Sequence, residues 1–188
     1  MTTRTHGPEL TLPVGARDHA QGPDTAPVTL VEYGDYECPY CGQAYPIVKE
    51  VQARFGDRLR FVFRNFPIGN AHPHAEHAAE AAEAAGAQGK FWPMHDRLFE
   101  QQKRLDDAHL REYAAAEGLD ADRFAADLTG HIYAERVRED FMSGVRSGVN
   151  GTPTFFVEGV RHDGPWDAEN LAAAIDRALA EKQPSQRR

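Results

Sequence analysis

The chain has 188 residues, 41% of them hydrophobic and 27% charged, and is long enough to bury a core without covalent staples. Its formal net charge of −8 leaves no basic excess to neutralise a phosphate backbone or an anionic bilayer, so neither nucleic acid nor membrane insertion is expected. No apolar run of secretory or membrane-spanning length is present in the first thirty residues or beyond, and the expected location is cytoplasmic, with a secretory precursor trimmed of its signal as the alternative.

Residues 1–27 are polar and rich in turn formers, and read as an arm, with Leu10-Thr11-Leu12-Pro13-Val14 as a candidate edge strand. Val28-Thr29-Leu30-Val31-Glu32-Tyr33, bounded by Pro27 and Gly34, has the β-branched, apolar character of a buried strand. Glu32 is its one ionisable residue. Asp35-Tyr36-Glu37-Cys38-Pro39-Tyr40-Cys41 follows, and then Ala44, Ile47, Val48, Val51 and Phe55 at helical spacing up to Gly56. The cysteines therefore open a helix. Leu59 to Phe66 predicts a second strand, so residues 28–70 form a βαβ unit with a parallel pair.

From about His72 to Gly148 the chain is rich in Ala, Glu and Arg, with helix stops at Gly86, Gly89, Gly118 and Gly130 and caps at Asp106 and Asp120. Four or five helices are predicted over residues 71–148, and the Ala-Glu tract from His77 to Ala85 reads as a helix with an alanine face. Pro153-Thr154-Phe155-Phe156-Val157 restores strand character, Glu158-Gly159 offers a two-residue hairpin turn, and Asp167 caps a final helix carrying Leu171, Ala174, Ile175, Ala178 and Leu179. Residues 149–182 are thus ββα, and the polar tail 183–188 is expected to fray. The whole predicts an α/β fold: one mixed sheet with an inserted all-helical subdomain.

Two cysteines are too few for a secreted disulfide framework, and their spacing points to chemistry. Residues i and i+3 share one side of a helix, which allows two sulfurs to close a small disulfide ring. At a helix N-terminus, unsatisfied amides and the positive end of the macrodipole stabilise a thiolate, so Cys38 is expected to be accessible and acidified, with Cys41 turned inward. Pro39 fits just inside the helix start, where its missing N–H costs little. A zinc reading would need four ligands, and without a second Cys-x-x-Cys the remainder would fall to His72, His74 or His77. No metal is expected, and His72-Pro73-His74-Ala75-Glu76-His77 reads as a capped, solvated helix end.

The segments Val28 to Cys41 and Gly148-Val149-Asn150-Gly151-Thr152-Pro153-Thr154-Phe155-Phe156-Val157 resemble the two motifs of bacterial DsbA-family proteins, in the thioredoxin superfamily. The resemblance runs from about His19 to Ala180. It implies a thioredoxin-like fold and a dithiol–disulfide oxidoreductase acting on cysteines of proteins or peptides, served by a redox-recycling partner and needing no cofactor beyond the Cys38–Cys41 pair. It further implies a cis peptide bond at Thr152-Pro153, with Thr152, Pro153, Pro39 and Tyr40 contacting an extended substrate. Glu32 matches the family's buried acid, and a carboxyl in an apolar strand can accept or return the proton of Cys41. Tyr36 and Tyr40 offer an apolar lip. Where strongly oxidising members have Pro-His between the cysteines, this chain has Pro39-Tyr40, so the histidine that stabilises the thiolate there is missing. The alternative on the same fold is a glutathione-linked isomerase or transferase acting on a small molecule.

Overall fold

The structure is a computed structural model and describes residues 7–182. In chain order the elements are β1 (His19–Gln21), β2 (Val28–Gly34), α1 (Pro39–Phe55), β3 (Leu59–Asn65), α2 (Ala75–Gly86), α3 (Phe91–Glu100), α4 (Asp107–Ala116), α5 (Ala121–Thr129), α6 (Ala134–Arg146), β4 (Thr154–Val157), β5 (Val160–Arg161) and α7 (Ala168–Lys182). The strands form one sheet in the order β1-β3-β2-β4-β5. β1 pairs antiparallel with β3, β2 with β4, and β4 with β5. The neighbours β2 and β3 are joined through α1, the crossover that a parallel pair requires, and this makes the sheet mixed.

Two compact units emerge among the described residues. One takes the chain up to Tyr33, Ala44–Arg64 and the residues from Ser143 onward; the other takes Gly34–Gln43 and Asn65–Met142. In the first, Leu30, Val31 and Tyr33 on β2 and Phe61, Val62 and Phe63 on β3 are all buried. Successive strand residues point to opposite faces, so both faces of these central strands are covered, as their near-continuous apolar sequence requires. α7 packs against β4, burying Leu171, Ala172 and Ile175. Asp167 holds the start of α7, accepting from Asn170 N–H at 3.0 Å. The Glu158-Gly159 turn closes the β4–β5 hairpin with both residues at positive φ, 51° and 80°, as expected of a two-residue turn whose twist matches its strands.

The edge strand lies elsewhere than the sequence predicts. Residues 10–14 form no strand; the arm makes an isolated bridge between Glu9 and Val160, and β1 is His19–Gln21. The physical reason is the buried Arg64 on β3, whose guanidinium takes the carbonyls of Leu12 at 2.9 Å and Pro13 at 3.2 Å. Those acceptors are thereby withdrawn from any ladder.

Among the described residues the second unit holds the start of α1, helices α2 to α5, and α6 as far as Met142. α2 is its hub and packs against α3, α4 and α5. Ala78, Ala79, Ala81, Ala82, Ala84 and Ala85 are all buried, so alanine lines more than half the circumference and lets neighbouring helices approach closely. Asp106 and Asp120 cap α4 and α5 through their carboxylates, as predicted.

Candidate active site

The turn between β2 and α1 carries the cysteines, and its geometry is set by Asp35. That residue is buried, 1% exposed. Its carbonyl accepts the amide of Cys38 at 3.2 Å, and its own amide donates to Cys41 Sγ at 3.4 Å. Its carboxylate accepts from the amides of Glu37 and Ile68, each at 2.8 Å, and lies 2.7 Å from His72 Nδ1. One side chain thus closes the turn and ties it to the segment after β3.

Cys38 occupies the cap position of α1, its carbonyl accepting the amide of Gly42 at 3.1 Å and the side-chain amide of Gln102 at 2.7 Å. Gln102 crosses directly over Gly42: a Cβ there would meet Gln102 Oε1 at 2.2 Å, so only glycine admits this contact. Pro39 begins the helix. Cys41 is fully buried, as expected of the inner sulfur. Cys38 is 4% exposed, less open than the sequence predicts, with its amide held by the Asp35 carbonyl and its own carbonyl by Gln102. The exposed surface beside it belongs to Pro39 and to Tyr40, which is 60% exposed. Tyr36 does not share in that lip. It is buried at 1% exposure, its hydroxyl lies 3.0 Å from His95 Nδ1, and its ring packs on Phe99.

The histidine missing between the cysteines has a counterpart supplied from elsewhere. Burial alone would lower the His72 pKa, but the hydrogen bond and charge of Asp35, with the charges of Cys38 and Glu37, raise it above the ordinary histidine value. A protonated His72 places positive charge in the field of Cys38, where it favours the thiolate. His72 is therefore part of the cysteine turn rather than of a solvated helix end, whereas Pro73, His74 and Glu76 are exposed as expected. The cap of α2 is His74, whose side chain makes no capping bond; Glu37 instead accepts its amide at 2.6 Å and lies 2.8 Å from its Nδ1.

A raised histidine pKa has a definite linkage sign: the stabilisation is complete below the unfolded value and is lost as pH rises through the folded value. His72→Gln is accordingly expected to lower stability most in mildly acidic solution, with the gap to the wild type closing as pH rises past the folded pKa. Urea unfolding across that range measures it.

Other expected residues belong to the first unit. Glu32 is buried at 3% exposure and stands opposite Phe155 in the β2–β4 register, where Tyr33 stands opposite Thr154. The Thr152-Pro153 peptide is cis. Both residues are half-buried, and the loop is fastened by Thr154 Oγ1 donating to Gly151 carbonyl at 2.7 Å. Glu32 therefore lies beside the strand that leads out of the cis-proline loop. Asp35 and Gln102 escaped sequence reasoning. Asp35 follows the strand by one residue and could have been flagged as a turn carboxylate, whereas nothing local marks Gln102.

Comparison with known proteins fits this geometry. A family model described as thioredoxin matches residues 16–177. The oxidised BdbD of Bacillus subtilis superposes with a TM-score of 0.82 at 25% identity, covering 93% of this chain and 97% of that one. A thioredoxin-like oxidoreductase from Silicibacter pomeroyi gives 0.78 at 29% identity, covering 88% and 94%. In sequence, the chain is 48% identical over 173 residues to a protein named Na(+)/H(+) antiporter NhaA 1 of Salinispora arenicola, which is 92% of this chain but 26% of that protein. The chain thus spans about a quarter of the length of the relatives it matches. The expectation of a cytoplasmic location is overturned by these relatives, which are named as Na(+)/H(+) antiporters. Among the described residues no helix is long and apolar enough to cross a membrane. With the model match covering most of its length, the chain belongs to the thioredoxin family, among the DsbA-like thiol–disulfide oxidoreductases that its two motifs resemble.

Proposed function

We propose that the chain exchanges disulfides with cysteines of proteins or peptides through a mixed disulfide at Cys38. The observation that carries this reading is a sulfur at a helix cap, three residues before a fully buried second sulfur, with the Asp35–His72 pair at 2.7 Å in the same turn. The thiolate of Cys38 attacks a substrate disulfide, forming one S–S bond and releasing the leaving sulfur as a thiolate. Cys41 then attacks Cys38, closing the internal disulfide and releasing reduced substrate; the reverse sequence oxidises a dithiol. Glu32 serves as proton relay to Cys41, a role supported by its burial. Thr152, Pro153, Pro39 and Tyr40 bind the substrate backbone and side chains, with a redox partner recycling the pair. No diffusible cofactor enters the scheme.

The test is exchange with a disulfide-bonded peptide. Wild type turns it over, Cys38→Ser does not, and Cys41→Ala accumulates a one-to-one mixed disulfide that dithiothreitol releases. Equal turnover by wild type and Cys38→Ser would reject the proposal. So would turnover of a glutathione conjugate that survives Cys41→Ala while peptides are ignored.

A further inference from the structure

On α2, His77 and Glu80 are three residues apart and so share one side of the helix. His131, in the turn between α5 and α6, comes over them. One donor atom from each of the three lies within 4.8 Å of the others. The two imidazole rings are 5.0 Å apart, and His131 Nδ1 is 3.1 Å from Glu80 Oε1.

Two independent features give this cluster a direction. Glu80 is 4% exposed, yet its second oxygen, Oε2, is buried with no hydrogen-bond partner among the described residues. A carboxylate oxygen in that position is costly unless something cationic or donating reaches it. His77 is already oriented: its Nδ1 lies 2.8 Å from Asp107 Oδ1 on α4. A carboxylate holding one ring nitrogen fixes the tautomer and leaves Nε2 as a ligand, the arrangement found behind metal-binding histidines.

We infer that His77, Glu80 and His131 bind a divalent transition-metal ion of the zinc type, at a site separate from the cysteine pair. Two imidazoles and one carboxylate suit such an ion, while calcium and magnesium favour oxygen donors throughout. Tetrahedral bonds of about 2.0 Å place donors roughly 3.3 Å apart, close to the existing separation of His131 and Glu80. The ion would replace the proton shared by that pair, and the third donor would close in by side-chain rotation. Glu80 also lines a surface depression of about 270 Å³, with Glu76, Val137 and Phe141 among its walls. The cluster is open to solvent at His131, whose side chain is 56% exposed, which gives an ion access and leaves room for water at the remaining position.

The experiment uses untagged, chelator-stripped protein carrying Cys38→Ser and Cys41→Ser, so that neither thiol binds metal and the outcome is independent of redox activity. Zinc chloride is titrated calorimetrically and in competition with a chromophoric chelator. One ion per chain is expected, with affinity falling at least about tenfold in Glu80→Gln and in His131→Gly, and by about tenfold in Asp107→Asn, which removes only the orienting charge. His131 has φ +50° and an exposed side chain, so glycine keeps its backbone conformation and spares the fold. Absence of stoichiometric zinc would overturn the assignment, as would undiminished affinity in His131→Gly.

Discussion

Cys38→Ser is expected to lower the rate of disulfide exchange by roughly a thousandfold or more, as loss of the attacking group does in covalent catalysis. Serine preserves the shape of the turn, including the carbonyl that accepts from Gly42 and Gln102. What it loses is a sulfur able to attack and bond to a substrate sulfur. Cys41 cannot take over, because it is fully buried and its sulfur is engaged by the Asp35 amide. Cys41→Ala therefore gives the complementary phenotype: the first attack proceeds and the mixed disulfide persists. Peptide turnover together with non-reducing electrophoresis separates the two. A Cys38→Ser protein retaining even a tenth of wild-type exchange would place the chemistry elsewhere.

The second large effect concerns stability. Arg64 and Asp18 are both fully buried at their side chains, joined by Nε to Oδ1 at 2.8 Å and Nη2 to Oδ2 at 3.0 Å. The same guanidinium donates to Tyr33 Oη at 2.9 Å, which lies 2.8 Å from Ser143 Oγ. Asp18 also accepts the amide of Gly15 at 2.8 Å. Burial opposes the cation, but Asp18 and Tyr33 outweigh it and keep the Arg64 pKa above its usual value. Asp18→Ala leaves that cation buried without its counter-charge, and the expected loss is about 3–5 kcal/mol. For a chain of this size that lowers the Tm by roughly 10 °C. Thermal and urea unfolding measure it. Asp18→Leu combined with Arg64→Met should recover part of the loss, since a matched apolar pair leaves no orphaned charge.

What the sequence made legible was what local patterns encode. The Cys-x-x-Cys at a strand-to-helix junction, Pro39 at the first helical position, the Asp106 and Asp120 caps and the Glu158-Gly159 turn each depend on residues a few positions apart. The cis bond at Thr152-Pro153 is different: the residues there show an X-Pro turn, and only resemblance to a family motif indicated its isomer. Contacts set by tertiary packing were hidden. Arg64 looks like one more charged residue alternating along a strand, yet it is buried and fastens the arm, which displaced the expected edge strand from residues 10–14 to His19–Gln21. Tyr36 reads as a surface aromatic until His95 and Phe99, far along the chain, enclose it. His72 sits in a polar run typical of a helix start, and its partner Asp35 is 37 residues earlier; no periodicity connects them.

Disulfide exchange at Cys38 requires its thiolate. The direct measurement is the ultraviolet titration of its thiolate in reduced Cys41→Ala protein, from about pH 4 to about pH 10, with His72→Gln alongside. The helix cap and the His72 cation predict a pKa well below the ordinary thiol value of about 8.5, and an upward shift in the His72 variant. A Cys38 pKa at or above about 8.5 would contradict the account.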